Sequence, residues 1–288
     1  MEVVISRVGV VSPWGRGRES FVKGFLQRDN VLREQPSLAV LPSSLAGVAD
    51  GVSFRPYLRR KKAAKLMTSA ARLAMDAAGQ VMEGYAGDRQ DLGLFLAVGR
   101  EPPDEGEAEE ALVASIDGSR FSEKLLATRG QDLYPPLLPL KTLPNMILAH
   151  ISIHLGICGE NAAWTGEGIR AFQEGYWAVR EGMVSAAVVG ASDSLIDLAQ
   201  ARDRLRVGEQ NPPGEAAVMF LLEPLASARM ASRLPLVKMS PIETSTHYTY
   251  LQEWIGDCGV AMPMLHLLSL LGTPSFNWSN FAVVSEVQ

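Results

Sequence analysis

Asn145 to Asp193 reads NMILAHISIHLGICGENAAWTGEGIRAFQEGYWAVREGMVSAAVVGASD, and its periodicity sets the fold class. Ile147, Leu148, Ile151 and Leu155 fall on one helical face, and Gly156 stops that helix. Gly159 to Gly168 reads as a Gly-punctuated turn. Ile169, Phe172, Tyr176 and Val179 follow at i, i+3, i+7 and i+10, the stripe of an amphipathic helix ending at Gly182. Val184 to Val189 is a short apolar run bounded by Gly190, a buried strand of an α/β domain.

A turn feeding a helix N-terminus is a good place for a nucleophile, because the helix dipole and free amide N–H groups stabilise an anion there. This turn offers Trp164, Thr165, Gly166, Glu167 and Gly168, with no Cys and no Ser. Thr is a poor nucleophile without an adjacent base. Glu167 is a favourable N-terminal charge by itself. The site is shaped for acyl chemistry but lacks its reagent.

The stretch resembles the centre of β-ketoacyl synthases of the thiolase superfamily. There a PNM-x-x-x-H-x-x-x-x-x-G helix leads through a turn to a Cys nucleophile, a Gly three residues on, a second helix and an A-x-x-x-G-G strand. Pro144, Asn145, Met146, His150, Gly156, Gly159, Gly168, Gly182 and Gly190 match that pattern. Counting back from Gly168 puts the nucleophile position at Thr165. The strand before it is several residues shorter than the family's, so this placement holds to about one residue.

Composition excludes several function classes. The chain has 288 residues, 47% of them hydrophobic and 20% charged, which are globular values for one or two compact units. A net charge of −5 and a pI near 5.5 give no basic face for nucleic acid. Two cysteines, Cys158 and Cys258, imply a reducing, cytoplasmic compartment and no disulfide framework. Glu2 and an immediate strand pattern are unlike a signal peptide. No apolar run approaches the roughly 18 residues of a membrane helix. The residues imply no metal and no cofactor.

From the N-terminus, Val3 to Val11 reads as a strand ended by the Ser12-Pro13-Trp14-Gly15 turn, and Glu19 to Leu26 as a short helix. This opening resembles the synthases, where V-V-S-P-x-G is typical. Asp29 to Phe54 lacks periodicity and reads as loop with short pieces. Arg59, Arg60, Lys61, Lys62 and Lys65 form a basic run, read either as the solvated start of the next helix or as a docking patch for an acidic carrier protein. Ala63 to Met82 reads as one long helix, Leu92 to Val98 as a buried strand, Glu101 to Glu110 as a surface loop, and Ala111 to Arg129 as helical. Tyr134 to Leu143, YPPLLPLKTL, is no regular central strand, because Pro removes ladder donors. The resemblance implies that this stretch lies at a dimer interface and lines the partner's acyl tunnel.

Gly214 to Glu223, GEAAVMFLLE, reads as a strand and resembles the family's G-E-G-A-x-x-x-x-L-E. Leu225 to Arg233 follows as a short helix, and Pro235 to Met239 starts another strand. The family then supplies a long half-domain with two His residues that position and decarboxylate a malonyl thioester. Between Ser240 and Gln288 there is room for only a remnant. Ile255 to Leu271 resembles the segment after the second His, with Asp257 where that His is expected. Ser275 to Glu286 resembles the closing Gly-rich strand, with Asn277, Trp278 and Ser279 replacing the flexible glycines. The resemblance therefore implies a thiolase-like layered αβαβα fold with a truncated C-terminal half. Residues 1–200 form the first half and 201–288 the reduced second, in one compact unit.

Other reactive side chains read as structural. His247 has a Thr two residues on, faintly like the H-G-T-x-T loop, but its spacing to Gly256 is too short. His150 and His154 read as packing or interface residues, His266 as a satisfied core His and Cys158 as a small packed hydrophobe. Asp193 resembles the family's structural acidic residue after the strand.

With the nucleophile absent and neither His placed, the three groups that act as a unit are missing. The resemblance then points to chain-length factors, inactive synthase homologues that pair with an active β-ketoacyl synthase in type II polyketide systems. The short form looks most like the partner subunit of polyene-type pathways, including aryl polyenes. It implies a heterodimer or a higher-order assembly built from it, a transient acyl carrier protein contact, and interface or tunnel residues Tyr134, Pro135, Leu137, Leu138, Asn145, Met146 and Trp164. Two other readings stay open: a decarboxylase-like variant using Thr165 or Glu167 to make a primer, and a scaffold that recruits carrier protein.

Overall fold

The computed structural model describes residues 1–100, 102, 106–166, 168–233, 235–241, 251–271, 275–278 and 281–285; for 240, 241, 275–278 and 281–285 it describes the backbone path alone. The chain begins with β1 (Val3–Ser12), β2 (Gly15–Arg16) and α1 (Arg18–Gln27), then the short pair β3 (Arg33–Glu34) and β4 (Leu45–Ala46). Next come α2 (Ser69–Met82) and β5 (Leu92–Val98). A lobe of small elements follows: α3 (Glu109–Val113), β6 (Ile116–Asp117), β7 (Arg120–Phe121), α4 (Glu123–Leu125), α5 (Gln131–Leu133) and α6 (Leu138–Thr142). The chain returns through α7 (Asn145–Leu155), β8 (Asn161–Thr165), α8 (Gly168–Arg180), β9 (Ala186–Ser194) and α9 (Leu198–Arg206). It finishes with β10 (Glu215–Pro224), α10 (Leu225–Met230), β11 (Val237–Pro241), α11 (Gln252–Ile255), α12 (Met262–Leu270), β12 (Ser275–Trp278) and β13 (Phe281–Ser285).

One mixed sheet organises these pieces, in the order β12-β13-β11-β1-β10-β9-β5-β8, with β2 beside β1. β8, β5 and β9 are parallel, whereas β10 runs antiparallel to both β9 and β1. Helices cover both faces, so the central strands are apolar on both sides. In β10, Ala216, Val218, Phe220 and Leu222 join the core under α8 and α12, while Ala217, Met219 and Leu221 join the core under α2 and α7. β5 divides the same way, with Phe95 and Ala97 on one face and Leu94, Leu96 and Val98 on the other. This is the thiolase-like layered α/β arrangement expected from the sequence.

The sheet carries an internal echo. β1 pairs antiparallel with β10 and β10 with β9; β11 pairs antiparallel with β13 and β13 with β12. The two sets join where β11 lies antiparallel to β1. α8 enters β9 and α12 precedes β12, and the two helices touch. The first set continues into β5 and β8. Among the described residues the second stops at β12.

Several boundaries differ from the sequence reading, each for a local reason. β9 does not end at Gly190 but runs through it to Ser194. A Cβ at Gly190 would stand 2.3 Å from Met219 Sδ and 2.3 Å from the Val218 carbonyl, so close contact with β10 demands the glycine. Gly159 to Gly168 is not all turn: Asn161–Thr165 pairs in register with Leu94–Val98. The helix expected over 63–82 is broken at Thr68, whose side chain caps α2 by accepting the Ala71 N–H at 3.2 Å. Lys61–Leu66 before it is a 3₁₀ turn. The helix expected over 111–129 is interrupted by the β6–β7 hairpin, turned at Gly118 with φ 63°. The closing segment is a hairpin of β12 and β13 instead of one strand.

Gly190→Ala must push Met219 or the β10 backbone aside, so we expect a loss of about 1–3 kcal/mol of stability. Urea unfolding of the variant against wild type checks it. Gly118→Ala, at an exposed position with nothing near its absent Cβ, should cost less despite its positive φ.

Candidate functional site

The position expected for a nucleophile lies at the end of the sheet, on β8, which pairs only with β5 among the described residues. Trp164 and Thr165 close β8, Gly166 turns with φ 89°, and α8 starts at Gly168. Glu167 lies outside the described residues. Thr165 and Gly166 are exposed. Trp164 is half-buried, its ring stacked on Phe95 with centroids 6.3 Å apart and planes 20° from parallel. Gly168 is buried, and a Cβ there would stand 2.2 Å from the Val260 carbonyl. The turn before α8 is therefore pressed against the segment that leads into α12.

That second segment is occupied by the protein's own carboxylates. The Val260 N–H donates to Asp193 Oδ2 at 3.1 Å, and the Gly259 N–H donates to Asp257 Oδ1 at 2.9 Å. Asp193 also accepts the Ser194 N–H on Oδ1 at 2.9 Å. Burial pushes the Asp193 carboxyl up to about 6, against the lowering effect of those N–H donors. Asp257 is ion-paired with Arg204 at 2.5 Å, and its backbone bridges Pro212–Gly214 through two 2.7 Å hydrogen bonds. The residue at the expected second-His position thus ties the C-terminal remnant to α9 and the start of β10.

The other candidates do not gather there. His150 and His154 are buried on α7, rings parallel at 6.2 Å, with His150 Nε2 3.3 Å from the Leu66 carbonyl. Burial lowers the pKa of both, and Arg59 and Arg60 add to the effect at His154. His266 is buried on α12, where burial pushes it down to about 4. His247 lies outside the described residues. Cys158 is exposed, not packed as expected, because α7 ends at Gly156 and the chain crosses the surface to β8. Cys258 is buried, and burial raises its thiol well above the ordinary range. No group of three His, Cys, Asp or Glu that could hold a metal occurs among the described residues. Nor is any helix among them long and apolar enough to cross a membrane.

Exposed apolar side chains cluster in the lobe that packs on α7. Leu137 is exposed, Tyr134, Pro135 and Met146 are half-buried, and Asn145 is exposed. Leu138 instead turns into the chain's own core. Leu140 and Leu143, within the Tyr134–Leu143 stretch expected at an interface, are exposed too, and the sequence reading missed Leu112, Val113, Ile116, Phe121, Leu133 and Ile153, all exposed. The legible signal was on α7: Met146 and Ile153 are apolar on the face opposite Ile147, Ile151 and Leu155. Among the described residues the basic run shows no ion pair, and all five of its cations are exposed.

Comparison with known proteins places this geometry. The profile described as Beta-ketoacyl synthase, N-terminal domain, matches residues 1–211. No curated protein sequence matches significantly. Similar solved structures include a β-ketoacyl synthase from Burkholderia phymatum STM815, at 17% identity and TM-score 0.65, covering 93% of this chain and 69% of that one. The ishigamide ketosynthase/chain length factor shares 20% identity at TM-score 0.61, covering 84% and 68%. A type II PKS acyl-carrier protein in complex with its ketosynthase shares 14% at 0.64, covering 83% and 67%. At such identities the likeness speaks for the fold.

Asp193 yields a pH prediction. Its folded pKa of about 6 lies above the ordinary 3.8, so folding favours the protonated form. The stability it contributes is full below the unfolded pKa and is lost as pH rises through 6. We expect the stability difference between wild type and Asp193→Asn to change by up to about 3 kcal/mol between pH 4 and 7.5, wild type relatively stronger at pH 4. Urea titrations at both pH values measure it.

Proposed function

The chain belongs to the β-ketoacyl synthase family, and from that premise we propose that it is a non-catalytic, chain-length-factor-like subunit that pairs with an active β-ketoacyl synthase. The observation that carries the reading is the turn between β8 and α8. At the position expected for a nucleophile it presents Thr165 and Gly166, exposed, with no Cys, Ser or His in the turn. Thr165 has no described base beside it, and the amides of Gly259 and Val260 across the turn already serve Asp257 and Asp193. Donors committed to internal carboxylates are not available to stabilise a developing oxyanion.

Pairing is supported by the surface around that turn. Among the described residues β8 pairs on one side only, with β5, and an open strand edge invites a partner strand. α7, which carries the exposed Ile153, touches β8, and α6 of the 109–143 lobe with its exposed Leu and Phe residues packs on α7 in turn. A face of this kind suits an obligate interface of roughly 2,000 Å² or more. The two unequal halves, 1–200 and 201–288, fit a subunit whose stability depends on association. In this reading Tyr134, Pro135, Leu137, Asn145 and Met146 wall the acyl tunnel with the synthase, and Leu138 supports them from inside. Trp164, Thr165, Gly166, Glu167 and Gly168 form the degenerate pocket.

The exposed run Arg60, Lys61, Lys62 and Lys65 steers an acidic acyl carrier protein to the pair, a contact that is transient and screened by salt. Arg59 is partly taken up by packing at Gly156, where its Nη2 would stand 2.3 Å from an added Cβ. Two unpaired thiols fit a reducing cytoplasm. The product class is that of type II, polyene-type chain elongation.

Co-expression with a candidate synthase bearing an intact Cys and two His tests the reading. We expect co-purification as a stable pair and chain elongation only by the pair. Leu137→Glu with Leu140→Glu should reduce co-purification at least tenfold, and Lys62→Glu with Lys65→Glu should weaken carrier-protein binding without breaking the pair. Carbon–carbon bond formation by this chain unaided, or an acyl adduct on it, would overturn the proposal.

A further inference from the structure

We infer that Trp164 is a plug: its indole fills, from this subunit's own chain, the space beside the nucleophile position where an acyl group would lie. The growing chain is thereby confined to the partner's side of the tunnel. The inference rests on the reading of the chain as an inert synthase partner, and it states how the inert pocket is closed.

The geometry is specific. Trp164 sits opposite Ala97 in the parallel register of β8 and β5. A methyl group at Ala97 leaves the sheet low at that point, on the face that α8 covers. The indole lies over this low ground and stacks on Phe95, which leaves the same face two residues earlier; centroids at 6.3 Å and a 20° angle make an offset stack. Phe95 has no room to yield. It is buried, and a Cβ at Gly175 of α8 would stand 3.3 Å from its Cδ2 and 2.1 Å from Val189 Cγ1. α8 therefore rests directly on the sheet there, and the indole is held against the core that contains Ala171 and Phe172. Swinging the stacked ring out to admit a ligand would expose its buried side and the face of Phe95, which is costly. The next residue, Thr165, is already exposed, so Trp164 is the last side chain of β8 able to close the pocket.

The test uses the full chain with Trp164→Ala and Trp164→Phe, titrated with the fluorescent fatty acid cis-parinaric acid. We expect Trp164→Ala to bind it at least tenfold more tightly than wild type, and Trp164→Phe to stay within about threefold of wild type. Equal affinity in all three folded proteins overturns the plug. Should Trp164→Ala fail to fold, wild type carrying 5-fluorotryptophan decides: an unmoved Trp164 fluorine resonance at saturating fatty acid supports the plug, and a shifted one overturns it. Pairing with a synthase, measured separately by co-purification, tells failure of the plug from failure of the functional reading.

Discussion

No side chain of β10 reaches solvent from either face, and a strand in that position must have its backbone hydrogen-bonded along both edges. Its partners are β1, from the start of the chain, and β9, the last strand before it. Helices must then sit close on both faces. Gly9 makes this possible for α2, since a Cβ there would stand 2.0 Å from the Ala77 carbonyl. Even the polar ends of β10 are drawn inside. Glu215 accepts from Ala49 N–H and Ser194 Oγ, and Glu223 forms a two-point pair with Arg233 at 2.8 and 2.5 Å. Removing one partner of such a buried pair leaves a charge without compensation, so these ends are fixed.

The C-terminal segment depends on that frame. It hangs on β1 through β11 and is pressed against the body at a crossing of three backbones. Gly47, Gly214 and Gly256 make the crossing possible, with Gly47 packed on the Ile255 carbonyl and Gly256 on the Pro213 carbonyl. Asp193 and the Asp257–Arg204 pair then lock the approach to α12. The same groups that hold the C-terminal segment in place use the amides of Gly259 and Val260, next to the turn before α8.

Much of this was legible in the residues. The stripe Ile169, Phe172, Tyr176 and Val179 marked α8, Gly156 marked the end of α7, and the run from Leu92 to Val98 marked β5 within its observed bounds. The bare turn at Thr165 was plain from the absence of Cys and Ser. Gly190 misled, because a glycine required by a neighbouring strand looks in sequence like one that ends a strand. The lobe after Glu109 misled for a different reason. Its helical propensity is real over short pieces, but Gly118 and the buried Ser115 hydroxyl, which donates to the Ala111 carbonyl, break it into a hairpin and short turns.

Local pattern alone determined the α/β class and the order of the main helices and strands, because each is written in neighbouring residues through period, capping and residue type. Contacts between distant segments decided the rest. Only the fold brought Asp193 to Val260, set Trp164 on Phe95, turned Leu138 inward beside an exposed Leu137, and joined β11 to β1. Those outcomes depend on which backbone passes within a few ångströms of which side chain, and sequence separation carries no such distance.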